Sequence, residues 1–297
     1  MKTEITRCGY VALIGRPNVG KSTLLNALVG QPVSIISHKK QTTRHVIHGI
    51  KTQGLVQTVY VDTPGIHTRS TRALNRYMNR AARSAMAGVD VVVFIVSVEH
   101  WNQDDELVLS QIKEAACPVI LAVNKIDILK GKEELLVQLE KLSQKMQFAE
   151  IVPLSAKKGE NVERLESVIQ KYLPESPHFF EADQVTNRDE AFLFSEIIRE
   201  QLFKQAHQEI PYSATVGVEK IEREDNLTKI YATIYVEKSG QKAIVIGEKG
   251  QKLKQIGQRA RLRIEKLLGN KVFLQLWVKV KPQWADDERS LRSLGFD

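Results

Sequence analysis

Gly15-Arg16-Pro17-Asn18-Val19-Gly20-Lys21-Ser22 follows the apolar run Tyr10-Val11-Ala12-Leu13-Ile14 and opens a helical pattern from Thr23 to Val29. This is G-x-x-x-x-G-K-[ST] in its required context, a strand before and a helix after. The glycines let backbone N–H groups wrap phosphates, helped by the positive end of the helix dipole. Lys21 is suited to the β- and γ-phosphates and the Ser22 hydroxyl to Mg²⁺. From average composition the four fixed positions occur by chance in roughly 1% of chains this long, so a plain turn is the weaker reading.

Working outward, further apolar runs alternate with helical patterns: Val56 to Val61, Val89 to Val98, Pro118 to Val123 and Ile151 to Leu154. Nearly all-apolar runs suit parallel strands buried on both faces, and the alternation predicts an α/β domain. Short motifs stand at the ends of three of these runs. Asp62-Thr63-Pro64-Gly65 offers an Asp that holds Mg²⁺ through water and a Gly N–H placed to sense the γ-phosphate. Asn124-Lys125-Ile126-Asp127 specifies the base. A carboxylate at Asp127 accepts both the N1–H and the 2-amino group of guanine, whereas adenine offers neither donor and leaves the charge unpaired. Ser155-Ala156-Lys157 adds a backbone N–H, at Ala156, for the guanine O6.

With 297 residues and 42% hydrophobic content, the chain suits two folded domains better than one. Pro174-Glu175-Ser176-Pro177-His178 stops a helix and suits a linker, which gives expected boundaries of 1–173, 174–188 and 189–297. The last part reads as an amphipathic helix from about Asp189 to His207, strands over Ile230 to Val236 and Val272 to Val280, and a helix after Gly250 with Leu253, Ile256, Ala260, Ile264 and Leu267 apolar. Propensity alone makes Ala243 to Ile246 a strand.

Charge is uneven along this part. Residues 174–237 hold 6 basic and 13 acidic residues, and 238–281 hold 12 and 2. Within a net charge of +8, such a concentrated basic segment reads as a nucleic-acid or anionic-lipid footprint. No apolar run reaches the length of a membrane span, and the N-terminal residues lack a signal-peptide h-region, so a cytoplasmic protein is expected. Cys8 and Cys117 sit in apolar runs and are expected as reduced buried thiols.

The four motifs in this order resemble the translation-factor type of small GTPase. With Gln41-Thr42-Thr43-Arg44, Asp62-Thr63-Pro64-Gly65-Ile66, Ser155-Ala156-Lys157-Lys158-Gly159 and a C-terminal Ile246-Gly247-Glu248-Lys249-Gly250, the whole chain resembles the Era-type ribosome-assembly GTPases of bacteria. The resemblance implies a P-loop GTPase domain with a mixed, mostly parallel sheet and helices on both faces, followed by a smaller α+β type II KH domain. It implies GTP and GDP as ligands with Mg²⁺, while slow intrinsic hydrolysis is expected from Ile66, the residue after Asp-x-x-Gly. Thr43, with Thr42 as the alternative, is then the Mg²⁺-binding threonine of the first switch, and Lys21, Thr43 and Gly65 form the expected catalytic set. In a KH domain the Gly-x-x-Gly backbone clamps about four nucleotides of single-stranded RNA. Ile246 to Gly250 with Lys252, Lys254 and Arg259 is therefore the expected RNA site, and the KH pattern makes Ala243 to Ile246 helical. Tyr231, Tyr235, Phe273, Trp277 and Trp284 are either base-stacking or packing residues.

The implied partners are 16S rRNA near its 3′ end and the 30S subunit, with peripheral contact at the inner membrane and a monomeric chain. The position after Asp-x-x-Gly is Ile66, which cannot hold a water, and His67 is the next polar group. In related GTPases with this departure, an Asn at the position of Asn18 binds K⁺; the plain alternative is that Asn18 closes its loop by hydrogen bonds. The arginine-rich stretch from Arg69 to Arg83 follows the second switch and is a candidate for coupling nucleotide state to RNA binding. Two other readings are an RNA-binding scaffold that binds GTP but hydrolyses it negligibly, and a P-loop kinase or ATPase, which Asp127 disfavours.

Overall fold

A computed structural model describes residues 5–36, 42–64, 72–205 and 210–296. Contacts divide the chain into one compact unit of residues 1–70 and 77–187 and another of 71–76 and 188–297.

The first unit is built on strands β1 (Arg7–Ile14), β2 (Ile47–Gln53), β3 (Val56–Asp62), β4 (Val91–Ser97), β5 (Val119–Asn124) and β6 (Glu150–Pro153). They form one sheet in the order β2-β3-β1-β4-β5-β6. β2 runs antiparallel to β3 and the remaining pairs are parallel, so the sheet is mixed and mostly parallel. The central strands are buried throughout because helices cover both faces; every residue of β4 is buried. The helices of this unit are α1 (Lys21–Val29), α2 (Ala73–Ser84) from Tyr77 onward, α3 (Gln103–Ile112), α4 (Lys132–Ser143) and α5 (Val162–Lys171). Asn102 starts α3 with a full capping box: its side chain accepts the Asp104 and Asp105 N–H groups while Asp105 accepts the Asn102 N–H. This fold brings the loops after β1, β3, β5 and β6 to the carboxyl end of the sheet, the usual ligand edge of open α/β sheets.

The proline-containing stretch after α5 is tied to this unit. Cys8 N donates to Pro174 O at 3.2 Å, Ser176 N to Thr6 O at 3.1 Å and Ile50 N to Val185 O at 2.9 Å. At its centre Gln57, fully buried, accepts the backbone N–H groups of Phe179 (2.8 Å) and Phe180 (3.0 Å) and donates to Phe180 O (2.8 Å). One amide side chain thus satisfies three backbone groups of a segment with no secondary structure to satisfy them. Cys8 is buried and Cys117 partly so, both as free thiols, and burial raises both pKa values.

The second unit begins with α6 (Glu190–Gln205) and the single turn α7 (Ile210–Ser213). A hairpin follows, β7 (Ala214–Glu224) with β8 (Leu227–Val236), then α8 (Ser239–Ile246), α9 (Gln251–Leu268), β9 (Lys271–Val280) and α10 (Glu288–Ser293). The sheet order is β7-β8-β9, with β9 parallel to β8. This helix, hairpin, helix pair and parallel return strand is the type II KH arrangement. Ile197, Ile198, Leu202, Ile230, Ile234, Ile256, Ile264 and Val278 meet in its core. Among the described residues no helix is long and apolar enough to cross a membrane.

Candidate functional site

The loop joining β1 to α1 is bridged by its own lysine. Lys21, 7% exposed, donates from Nζ to the carbonyls of Gly15 (2.8 Å) and Arg16 (3.0 Å). Burial pulls its pKa down to about 8, Asp62 opposes that shift and Arg16 adds to it. Gly20 has φ of +105°, and a Cβ there lies 2.3 Å from Asn124 Nδ2, so no other residue fits. Asn18 is exposed and takes a left-handed φ of 66°, which asparagine tolerates. Arg16 reaches sideways: its Nε donates to Asp105 Oδ2 at 2.9 Å, tying the loop to the start of α3. Val19 is buried and Pro17 and Thr23 half-buried around this turn.

Beside the loop, three hydroxyls converge on one carboxylate oxygen. Asp62 Oδ2 accepts Ser22 Oγ (3.0 Å), Ser34 Oγ (3.0 Å) and Thr43 Oγ1 (3.2 Å), and Ser22 and Thr43 lie 2.9 Å from each other. Thr43 thus reaches both Ser22 and Asp62. Burial pushes the Asp62 carboxyl up, against the pull of Lys21 and of the three hydroxyls. Its other oxygen, Oδ1, is buried with no hydrogen-bond partner among the described residues. Thr63 turns away, its hydroxyl donating to Leu13 O at 3.2 Å, and Pro64 is buried. Gln41, Gly65, Ile66 and His67 lie outside the described residues, as do Arg69, Ser70 and Thr71 of the arginine-rich stretch; Ala73–Ser84 is helical.

The base-reading motifs come together at the ends of β5 and β6. Asn124, 3% exposed, donates to Val19 O (2.8 Å) and accepts the Lys125 (2.8 Å) and Ala156 (3.0 Å) N–H groups, so one side chain joins three motifs. Asp127 is exposed and receives Ser155 Oγ on Oδ1 at 2.6 Å. Ser155 Oγ in turn accepts the Lys158 N–H at 3.2 Å. Lys125 pairs with Glu99 at 3.1 Å, and Lys157 is exposed. Glu99, Asp105, Asn26 and Ser34 were not expected from the motifs. Only Asp105 left a trace, as the last residue of the Asn102-Gln103-Asp104-Asp105 helix-start pattern.

In the second unit the Gly-x-x-Gly turn links α8 to α9. Gly247 (φ 71°), Lys249 (47°) and Gly250 (77°) are all left-handed, which breaks the helix and exposes Glu248 and Lys249. A Cβ at Gly247 lies 2.6 Å from Lys252 Cβ, so the turn closes tightly on the helix that carries the basic face. Ile246 and Lys252 are half-buried, and Lys254 and Arg259 are exposed. Arg263 departs from that face: it pairs with Glu200 of α6. Trp284 is fully buried with its N–H on Ser213 O (2.9 Å), which makes it a core residue. Phe273 and Trp277 stay exposed, at 47% and 38%, beside Tyr231.

Residues 10–125 match the family described as 50S ribosome-binding GTPase, and residues 209–285 match the KH domain. The GTPase Era of Marinobacter nauticus is 55% identical over 291 residues, 98% of this chain and 95% of that protein. That of Histophilus somni is 53% identical over 297 residues, 100% and 99% of the two. A single-residue variant of Aquifex aeolicus Era bound to GDP.AlF4⁻ aligns with a TM-score of 0.94 at 39% identity, over 98% of this chain and 99% of that one. Era in complex with MgGDPNP and nucleotides 1506–1542 of 16S ribosomal RNA aligns with a TM-score of 0.95, at the same identity and coverage.

Proposed function

The chain belongs to the Era family of GTPases, and from that premise we propose that its nucleotide site is a GTP-driven switch controlling a KH module that binds 16S rRNA near the 3′ end and assists assembly of the small ribosomal subunit. GTP is hydrolysed to GDP and phosphate, as in the family. The observation that carries the RNA reading is the whole-chain likeness to an Era that holds MgGDPNP and that rRNA segment together.

Each site residue has a role in this reading. The backbone from Gly15 to Gly20 and the Lys21 ammonium hold the phosphates. Asn124, Lys125, Asp127, Ser155 and Ala156 hold the guanine. The residues fit Mg²⁺: Ser22 and Thr43 offer hydroxyl oxygens 2.9 Å apart, and Asp62 keeps one buried oxygen without a partner among the described residues, suited to the ion's water shell. Bound there, Mg²⁺ neutralises charge on the β- and γ-phosphate oxygens. Lys21 and Thr43, with Gly65, then stabilise charge as the γ-phosphoryl group passes from GDP to water. The same reading makes the chain a cytoplasmic monomer whose contact with the inner membrane is limited to the attraction of its basic surface.

RNA affinity is tested on an oligonucleotide covering 1506–1542, with GDPNP and with GDP. Glu248→Asp with Lys249→Asp sets two acids where a phosphate approaches, and affinity should fall at least about tenfold while GTP turnover without RNA persists. Retained affinity would reduce the loop to a turn. For Asn18 we propose a K⁺ contact, supported by its exposed, left-handed place in the phosphate loop. GTP turnover should then be faster in KCl than in NaCl at equal ionic strength, and equal rates would leave Asn18 shaping its loop only.

A further inference from the structure

Helix α1 carries the amide side chain of Asn26 one turn beyond Ser22. Its Oδ1 accepts the N–H groups of Val33 and Ser34, both at 2.9 Å, and its Nδ2 donates to Ser34 O at 2.7 Å. One amide therefore fixes both backbone polar groups of Ser34. Val33 and Ile35, 4% and 3% exposed, anchor the same turn by packing, so the backbone is held from three sides.

Ser34 itself is 3% exposed and sends its hydroxyl to Asp62 Oδ2. Several other serines of this chain, such as Ser110, Ser143 and Ser195, satisfy themselves on the carbonyl three residues back. Ser34 instead crosses to the carboxylate that Ser22 and Thr43 also reach. With three hydroxyls on Oδ2, the acceptor capacity left on the Asp62 carboxylate resides mainly in Oδ1, which has no hydrogen-bond partner among the described residues. Without Ser34, one position on Oδ2 opens, and the carboxylate is free to rotate toward a different sharing of its two oxygens.

We propose that Asn26 and Ser34 are positioning residues: they lock the Asp62 carboxylate in the rotamer that leaves Oδ1 for the Mg²⁺ water shell, and they tie that rotamer to helix α1. The inference rests on the Mg²⁺ reading above. It gives the segment between Ser34 and Thr43 two ends that meet on one oxygen atom. Nucleotide state at Thr43 is thereby felt against a fixed point rather than a loose loop.

The test follows release of a fluorescent GDP analogue from the full chain as Mg²⁺ is titrated, and again in EDTA. In Ser34→Ala the Mg²⁺ concentration that halves the release rate should rise about tenfold, the scale of one hydrogen bond to a charged group, with the EDTA rate unchanged. Asn26→Asp turns the donor facing Ser34 O into an acceptor and should shift the same midpoint in the same direction. A purely structural role predicts faster release with and without Mg²⁺ alike, and that result overturns the proposal. So does an unchanged midpoint in Ser34→Ala when the wild type responds to Mg²⁺. A wild type whose release ignores Mg²⁺ would instead overturn the metal reading on which the proposal stands.

Discussion

Asp127→Asn should weaken GTP binding about 1,000-fold and improve binding of XTP relative to GTP, with the fold intact. A carboxylate at this position accepts two guanine donors, and each hydrogen bond to a charged group is worth roughly 1.5–3 kcal/mol. The neighbour decides which way the new amide faces. Ser155 Oγ accepts the Lys158 N–H, so its proton is committed to Asp127 Oδ1, 2.6 Å away. In the variant that proton requires an acceptor, which places the asparagine oxygen against Ser155 and turns its NH2 group toward the base. Guanine then meets donor against donor, whereas the 2-oxo group of xanthine meets a donor it can accept. Because Asp127 is exposed, the substitution leaves no buried polar atom behind. Nucleotide affinities for GTP and XTP, with thermal unfolding as control, decide the matter; a variant that prefers GTP as strongly as the wild type contradicts the assignment.

The motifs at the ends of β5 and β6 are legible because each is written in contiguous residues. What the motifs conceal is how they are joined. Asn124 holds the phosphate loop at Val19 and the last motif at Ala156 through one amide, across sequence separations of 105 and 32 residues. Ser34 and Asp105 act the same way, through single side chains reaching 28 and 89 residues along the chain. Local pattern marks Asn124 as part of a motif and Asp105 as part of a helix start, and Ser34 not at all; the distant partners of all three are set by the fold rather than by spacing.

The same distinction runs through the secondary structure. β4 and β5 are legible as unbroken apolar runs because both faces are covered. β2, an edge strand reading Ile-His-Gly-Ile-Lys-Thr-Gln, offers only two apolar side chains and escapes the pattern. β7 escapes for another reason: its register shifts between Val218 and Lys220, and a bulge reverses the in-and-out alternation midway. At Ala243 to Ile246 strand propensity lost to local hydrogen bonds. Gln241 accepts the N–H groups of Glu237 and Lys238, both at 2.9 Å, which starts a helix that Gly247 ends. The proline-rich stretch carried no signal of its docking, because that depends on Gln57, a single buried residue of β3.

Lys21→Ala should lower GTP affinity at least about 100-fold at pH 7, since the charge that meets the phosphates is lost. The pH dependence is the sharper part. With the folded pKa pulled down to about 8 from an ordinary 10.5, the ammonium is less favourable in the fold than in the unfolded chain. Below pH 8 both states keep the proton and the nucleotide-free fold carries the whole burial penalty. As pH rises from 8 toward 10.5 the folded chain sheds the proton first, so its stability should increase across that window and level off above it. Phosphates beside the amine restore the charge, so binding GTP above pH 8 takes up a proton. Affinity should therefore fall by up to about tenfold per pH unit between pH 8 and 9 in the wild type. Ionisation of the guanine ring affects both proteins equally, so the alanine variant isolates the contribution of the lysine. Its affinity should be weak and nearly flat over the same range. Equal slopes for the two proteins would mean that Lys21 enters the complex already charged, and the burial argument for its lowered pKa would fail.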